Sequence, residues 1–197
     1  MLSSSGGFWK DLFTLALLIV LVVLPLRAFV ISPFIVDGGS MSPTFENLDY
    51  LIIDEISYRF IEPARGDVIV FRYPLNPSIF YIKRVIGLPG EAVSISRGIV
   101  SVKSEGGVQE ALDESYVTIE DATYTKNVAL AEGEYFVMGD NRPNSSDSRT
   151  WGALPKRDIV GRALLRLLPL SKASFFPGSA QYDGVASVAI PWPSTTP

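Results

Sequence analysis

The stretch DVIVFRYPLNPSIFYIKRVIGLPGEAVSISRGIVSV, residues 67–102, decides the fold class. Four short apolar runs, DVIVFR (67–72), IFYIKRVI (79–86), AVSIS (92–96) and GIVSV (98–102), are rich in β-branched and aromatic residues and too short for helices. Turn signals at Pro74 to Pro77 and at Pro89-Gly90 punctuate them. Working outward, LDYLIID (48–54), EYFVM (134–138) and DIVGRALLRLL (158–168) read as further strands, with more turn residues at Pro63 to Gly66 and Gly106-Gly107. The spacing predicts an all-β domain of barrel or sandwich type over residues 32–170. Residues 103–133 are more polar and weakly periodic, and read as an insertion or hairpin excursion from that core. From Ser171 the chain turns to Ser, Pro, Ala and Gly, so 171–197 reads as a flexible tail.

Before the strands lies an apolar run, LFTLALLIVLVVLPL (12–26), whose character resumes after Arg27. A spanning helix needs roughly 20 residues, so the reading extends it over 12–31, with Arg27 snorkelling at one interface and Trp9 and Lys10 at the other. Residues 1–11 are then a short N-terminus on the opposite side. A cleaved signal peptide and a buried core helix are the alternatives, although no A-x-A-like site follows the run. Lys10 is offset by Asp11, so charge counting does not orient the span.

With 17 Lys and Arg against 21 Asp and Glu the net charge is -4, and no basic stripe tracks a phosphate backbone, so nucleic acid is not an expected partner. The chain has no Cys and no His. Thiol catalysis, disulfides, thiolate metal sites and the usual imidazole base are thereby excluded. What remains for activating a hydroxyl is mainly a Lys or a carboxylate.

Three segments carry polar groups that a plain β core does not need. In VDGGSMSPTF (36–45) paired glycines let the backbone approach closely, and Ser40 sits on a tight turn before Pro43. In FYIKRVIGLPGE (80–91) alternation puts Tyr81, Lys83 and Val85 on one strand face and Phe80, Ile82, Arg84 and Ile86 on the other. Lys83 thus projects between two apolar neighbours, where burial lowers its pKa and prepares it to accept a hydroxyl proton. In VMGDNRPNSSDSRTWG (137–152), Asp140, Arg142, Asp147 and Arg149 alternate in sign, a pattern suited to a buried network that fixes a loop. Each segment alone also fits a plain structural role: a Ser in a Gly/Pro loop, an edge-strand Lys in solvent, and a solvated loop of Asx turns.

Taken in order, SMSPT, RGDVIVFR, YIKRVIGLPGE and GDNRPNSSDSR resemble the boxes of the type I signal peptidase (leader peptidase) family, over about Phe34 to Gly161. The resemblance implies a bacterial-style, membrane-bound serine endopeptidase with Ser40 as nucleophile and Lys83 as base. It implies that Ser145 hydrogen-bonds the lysine ammonium, that Asp147 and Arg149 form a supporting pair, that Gly139 and Asp140 line the same region, and that Phe34, Val36, Met41 and Ile82 shape the substrate cleft. It further implies no cofactor and no metal, secreted preproteins as substrates, the lipid bilayer and the secretion translocon as partners, a cytoplasmic N-terminus over residues 1–11, and a catalytic domain outside the plasma membrane. The chain departs from some members by having Gly38 where they place an oxyanion-stabilising Ser, and a single membrane segment where some have two. A self-cleaving Ser–Lys repressor-type protease would need an N-terminal DNA-binding domain in place of the apolar run. The rival from another class is a catalytically silent, membrane-tethered β scaffold that binds a partner protein.

Overall fold

A computed structural model describes residues 5–23, 31–104, 106–119 and 121–182. Helix α1 (Ser5–Leu18) continues as a π-helical turn over Ile19–Val23, and its side chains from Gly7 to Leu21 are exposed. Among the described residues no helix is long and apolar enough to cross a membrane. Of the span read over 12–31, residues 24–30 lie outside the described residues, and its last residue is not helical. Ile31 opens β1 (Ile31–Ile35), paired antiparallel with β2 (Tyr50–Asp54) from Ile31 opposite Asp54 to Ile35 opposite Tyr50. Pro33 explains the change, because it disfavours the helical conformation at Ser32 and removes a donor, which an edge strand tolerates.

The strands that follow are β3 (Val68–Tyr73), β4 (Asn76–Gly87), β5 (Ala92–Ser96), β6 (Ile99–Lys103), β7 (Gln109–Ala111), β8 (Lys126–Ala129), β9 (Glu134–Met138), β10 (Leu154–Pro155), β11 (Ile159–Leu168) and β12 (Ser174–Phe175). They form two antiparallel sheets. The larger runs β1-β2-β11-β3-β4-β9-β10, with β12 paired to β11, and the smaller runs β7-β6-β5-β8. The fold is therefore mostly β, as the strand spacing predicts.

β3 lies at the centre and shows why its sequence is apolar without interruption. Val68 and Val70 pack with Val36, Met41, Phe45, Leu51, Ile53 and Ala163, while Ile69 and Phe71 pack on the other face with Val85, Tyr135, Val137 and Leu154. A strand covered on both faces has no polar side to show. A third cluster, built on Ile86, Phe136 and Met138, joins the large sheet to Val93, Ile95, Val100 and Val102 of the small one.

Two readings of the sequence change here. The polar segment 103–133 supplies β7 and β8, the two edges of the small sheet, through pairs such as Ser101 with Ala111 and Val93 with Val128. Residues 171–182, read as part of a flexible tail, include β12 and then lie over the large sheet as far as Tyr182; residues 183–197 lie outside the described residues.

Candidate active site

Ser40 lies in the turn that leaves β1. That turn is tied at its base, where Val36 N donates to Asp49 O at 2.9 Å and Leu48 N donates to Val36 O at 2.9 Å. Gly38 adopts φ +91°, a conformation costly for other residues, and its N–H donates to Asn47 Oδ1 at 2.9 Å. Asn141 secures the other side. Its N–H donates to Ser40 O at 3.0 Å and its Nδ2 to Gly39 O at 3.0 Å.

Lys83, on β4, is 3% exposed. Its Nζ donates to Ser40 Oγ at 2.8 Å and to Ile82 O at 2.9 Å, and stands 5.1 Å from the ring centre of Tyr81. Burial pushes the ammonium down from 10.5 to about 8, against the opposing pull of the Asp147 and Asp140 carboxylates. The pair therefore couples a hydroxyl to an amine that is partly neutral near neutral pH.

The loop after β9 surrounds this pair with buried charge. Asp147 is fully buried, accepts from Gly139 N at 3.0 Å and from Arg149 N at 3.2 Å, and is bracketed by Arg149 Nε and Nη2 at 2.9 Å each. Asp147 thus caps the short helix α2 (Ser148–Trp151) and holds the loop in one shape. Gly139 passes so close to Ser40 O and Ser145 Oγ that a Cβ there would collide with both. Asp140 turns the other way and takes Arg84 Nε at 2.9 Å and Nη2 at 2.6 Å, with Thr44 Oγ1 at 2.5 Å.

Two assignments implied by the resemblance change. The hydroxyl of Ser145 is buried and has no hydrogen-bond partner among the described residues, and the bond to the Lys83 ammonium is not formed. The lysine donates instead to Ser40 Oγ and to its neighbour's carbonyl. Met41 does not line the cleft. At 1% exposure it packs inward with Phe45 and Leu51, because the turn after Ser40, closed by Phe45 N to Met41 O at 2.9 Å, carries its side chain beneath the loop.

The cleft itself has a volume of about 440 Å³. Phe34, Ile35 and Val36 form one wall, Phe80, Tyr81 and Ile82 the other, with Leu51 and Val70 behind and Ser40, Lys83, Asn144 and Ser146 at the polar end. Phe34 and Phe80 meet edge to face, 5.6 Å between ring centres. Phe80, Leu51, Val70, Asn144 and Asn141 were not singled out from sequence. Nor was Arg84 as the partner of Asp140, although a guanidinium in the apolar row Phe80, Ile82, Ile86 demands a buried counter-charge. Arg142 likewise pairs outside its loop, with Glu114 at 2.5 Å, and its Nε donates to Gly139 O at 3.1 Å. Among the described residues no group of three or more acidic side chains is placed to hold a metal.

Residues 9–168 match the family described as signal peptidase, peptidase S26. The "Probable signal peptidase I-1" of Synechocystis sp. is 38% identical over 86% of this chain and 87% of its own length. The "Probable signal peptidase I-2" of the same organism is 35% identical over 94% and 85%. The "Signal peptidase I" of Leptolyngbya laminosa is 39% identical over 78% and 76%.

Proposed function

The chain belongs to the signal peptidase family, peptidase S26, and from that premise we propose that it is a serine endopeptidase that removes signal peptides from secreted preproteins, with Ser40 as nucleophile and Lys83 as general base. The observation that carries the reading is the 2.8 Å contact of a buried, pKa-lowered Lys83 amine with Ser40 Oγ at the end of an apolar cleft.

In this mechanism neutral Lys83 Nζ takes the Ser40 proton as Oγ bonds to the scissile carbonyl carbon. The developing oxyanion is held by the Ser40 N–H, since the Gly38 N–H is committed to Asn47. Collapse breaks the C–N bond, and the Lys83 ammonium returns its proton to the leaving amine. A water, deprotonated by the same amine, then attacks the acyl ester and frees Ser40. Asp147 with Arg149, and Asp140 with Arg84, are positioning pairs that hold the loop against the nucleophile turn. Gly139 gives that contact its closeness, and Ser145 lies beside it.

The apolar run that starts at residue 12 is a membrane anchor that carries the catalytic domain on the outer face of the plasma membrane. Its support is the uncharged sequence of 12–26 and the family resemblance. Preproteins delivered by the secretion translocon then meet the cleft close to the bilayer.

The test is incubation of the detergent-solubilised chain with a synthetic peptide spanning a signal-peptide junction, with mass spectrometry of the products, beside labelling by a serine-directed acylating probe. A single cut at the junction together with label on Ser40 is the expected outcome. An intact peptide with an unlabelled Ser40 would instead match a silent scaffold.

A further inference from the structure

Residues 174–182, the segment after the last long strand, converge on Arg84, the neighbour of Lys83. The segment starts on the large sheet, where Ser174 and Phe175 pair with Arg166 and Leu165. It then runs over the surface above Thr44, Gly66 and Arg84. Gly178 O accepts from Arg84 Nη1, which also donates to Gly66 O at 3.1 Å, and Ala180 N donates to Gly66 O at 3.2 Å. Contact is close enough that a Cβ on Gly66 would collide with Ala180 O, and one on Gly178 with Thr44 Cγ2. At its end Tyr182 OH meets Tyr116 OH at 2.6 Å, and the Tyr116 ring lies 3.8 Å from Arg84 Cζ.

We propose that residues 174–182 are a strap that positions the catalytic centre, an inference that rests on the Ser40 and Lys83 reading. Arg84 is fully buried, and its donors go to Asp140, Gly66 O and the strap. Lifting the strap leaves a buried guanidinium N–H without its acceptor and opens one side of the Arg84–Asp140 pair to water, which weakens it. Asp140 then passes the change on by two routes. Its carboxylate holds Thr44 Oγ1, four residues beyond Ser40, and its backbone continues Gly139, which abuts Ser40 O. The Ser40 to Lys83 distance is set between those two supports. No residue of the strap lines the cleft, so its effect falls on the chemical step and not on substrate binding.

The experiment compares the full chain with a chain ending at Tyr182, a chain ending at Ala173, and Gly178→Ala, whose added Cβ pushes the strap off Thr44. The kcat and KM on the signal-peptide substrate are measured separately, well below each protein's melting temperature. Ending at Tyr182 leaves kcat as in the full chain. Ending at Ala173 lowers kcat about tenfold or more with KM within twofold, and Gly178→Ala lowers kcat in the same direction with KM unchanged. A strap that merely stabilises the fold would lower the melting temperature and leave kcat intact in both variants, which overturns the proposal. If the chain ending at Ala173 does not fold, an unchanged kcat in Gly178→Ala overturns it alone. A full chain that cuts nothing refutes the proposed function and the strap with it, whereas an active full chain with an equally active Ala173 form refutes only the strap.

Discussion

A side chain at position 139 would stand against the carbonyl oxygen of Ser40. Because Asn141 N also donates to that carbonyl at 3.0 Å, the loop after β9 and the nucleophile turn are closed on each other with no room for a methyl group. The dyad is thus held by backbone fit as much as by side chains.

Gly139→Ala should accordingly open the contact and displace Ser40 from Lys83. A misplacement of about 1 Å costs roughly 10²-fold in rate. Expected is a drop in kcat of that order with the fold retained, read from steady-state kinetics beside the circular dichroism spectrum; wild-type turnover would contradict the role given to this contact.

Ser40→Ala and Lys83→Ala should each abolish cleavage, by roughly 10⁴-fold or more, and the double variant should be little worse than either. The chain holds no His or Cys to stand in as base. Residual turnover in Lys83→Ala well above that of Ser40→Ala would remove Lys83 from the mechanism.

Lys83 is held at about 8, below its ordinary 10.5. Below pH 8 the logarithm of kcat/KM should rise with unit slope and then level off, as neutral amine accumulates. In the window between about 8 and 10.5 the unfolded chain binds more protons than the folded one, so this group's contribution to stability rises with pH there. Below 8 the full cost of a buried ammonium, on the order of 3 kcal/mol, remains. A pH-rate profile and urea midpoints across pH 7 to 10 check both signs, and Lys83→Met should flatten the second.

Asp147→Ala takes the buried carboxylate away from the Gly139 N–H and from the Arg149 guanidinium, which keeps only Arg142 O at 2.5 Å and Asp121 at 3.7 Å. Breaking such a pair costs about 3–5 kcal/mol. The urea midpoint should fall accordingly. Lys83→Met, which removes a buried charge, should not fall with it.

Substrates varied around the cut should be read at -1 and -3. An extended peptide laid along the edge strand β1 presents alternate side chains to the cleft. Walls of Phe34, Val36, Phe80 and Ile82 reject charge by desolvation. Replacing Ala at -1 or -3 by Asp or by Phe should lower kcat/KM far more than the same changes at -2, and equal tolerance at all three positions would count against binding along β1.

Much of this arrangement is legible in the sequence where local and global signals coincide. β3, β5 and β9 are apolar runs with turn residues at their ends, and their observed limits follow those runs to within a residue. β1 is hidden because its residues, Ile31, Phe34 and Ile35, continue the apolar character of the helical run before them. β7 and β8 span three and four residues on exposed edges, too short for alternation to register. Lys83 is legible from its place between apolar neighbours, and the resemblance supplies its partner. Arg84 and Asp140 lie 56 residues apart, and nothing local pairs them. Met41 is misplaced because strand alternation does not extend into a tight turn.

β1 is an edge of the large sheet, a wall of the cleft, and the first strand after helix α1. Eight peptide steps separate Val23, the last described residue of that helical segment, from Ile31. They reach roughly 26–29 Å at full stretch. Of the whole β domain, then, the strand that walls the cleft is the part covalently nearest to the helix. Wherever the helix is held, the contour length of the chain bounds the distance from it to the cleft more tightly than to any other strand of the domain.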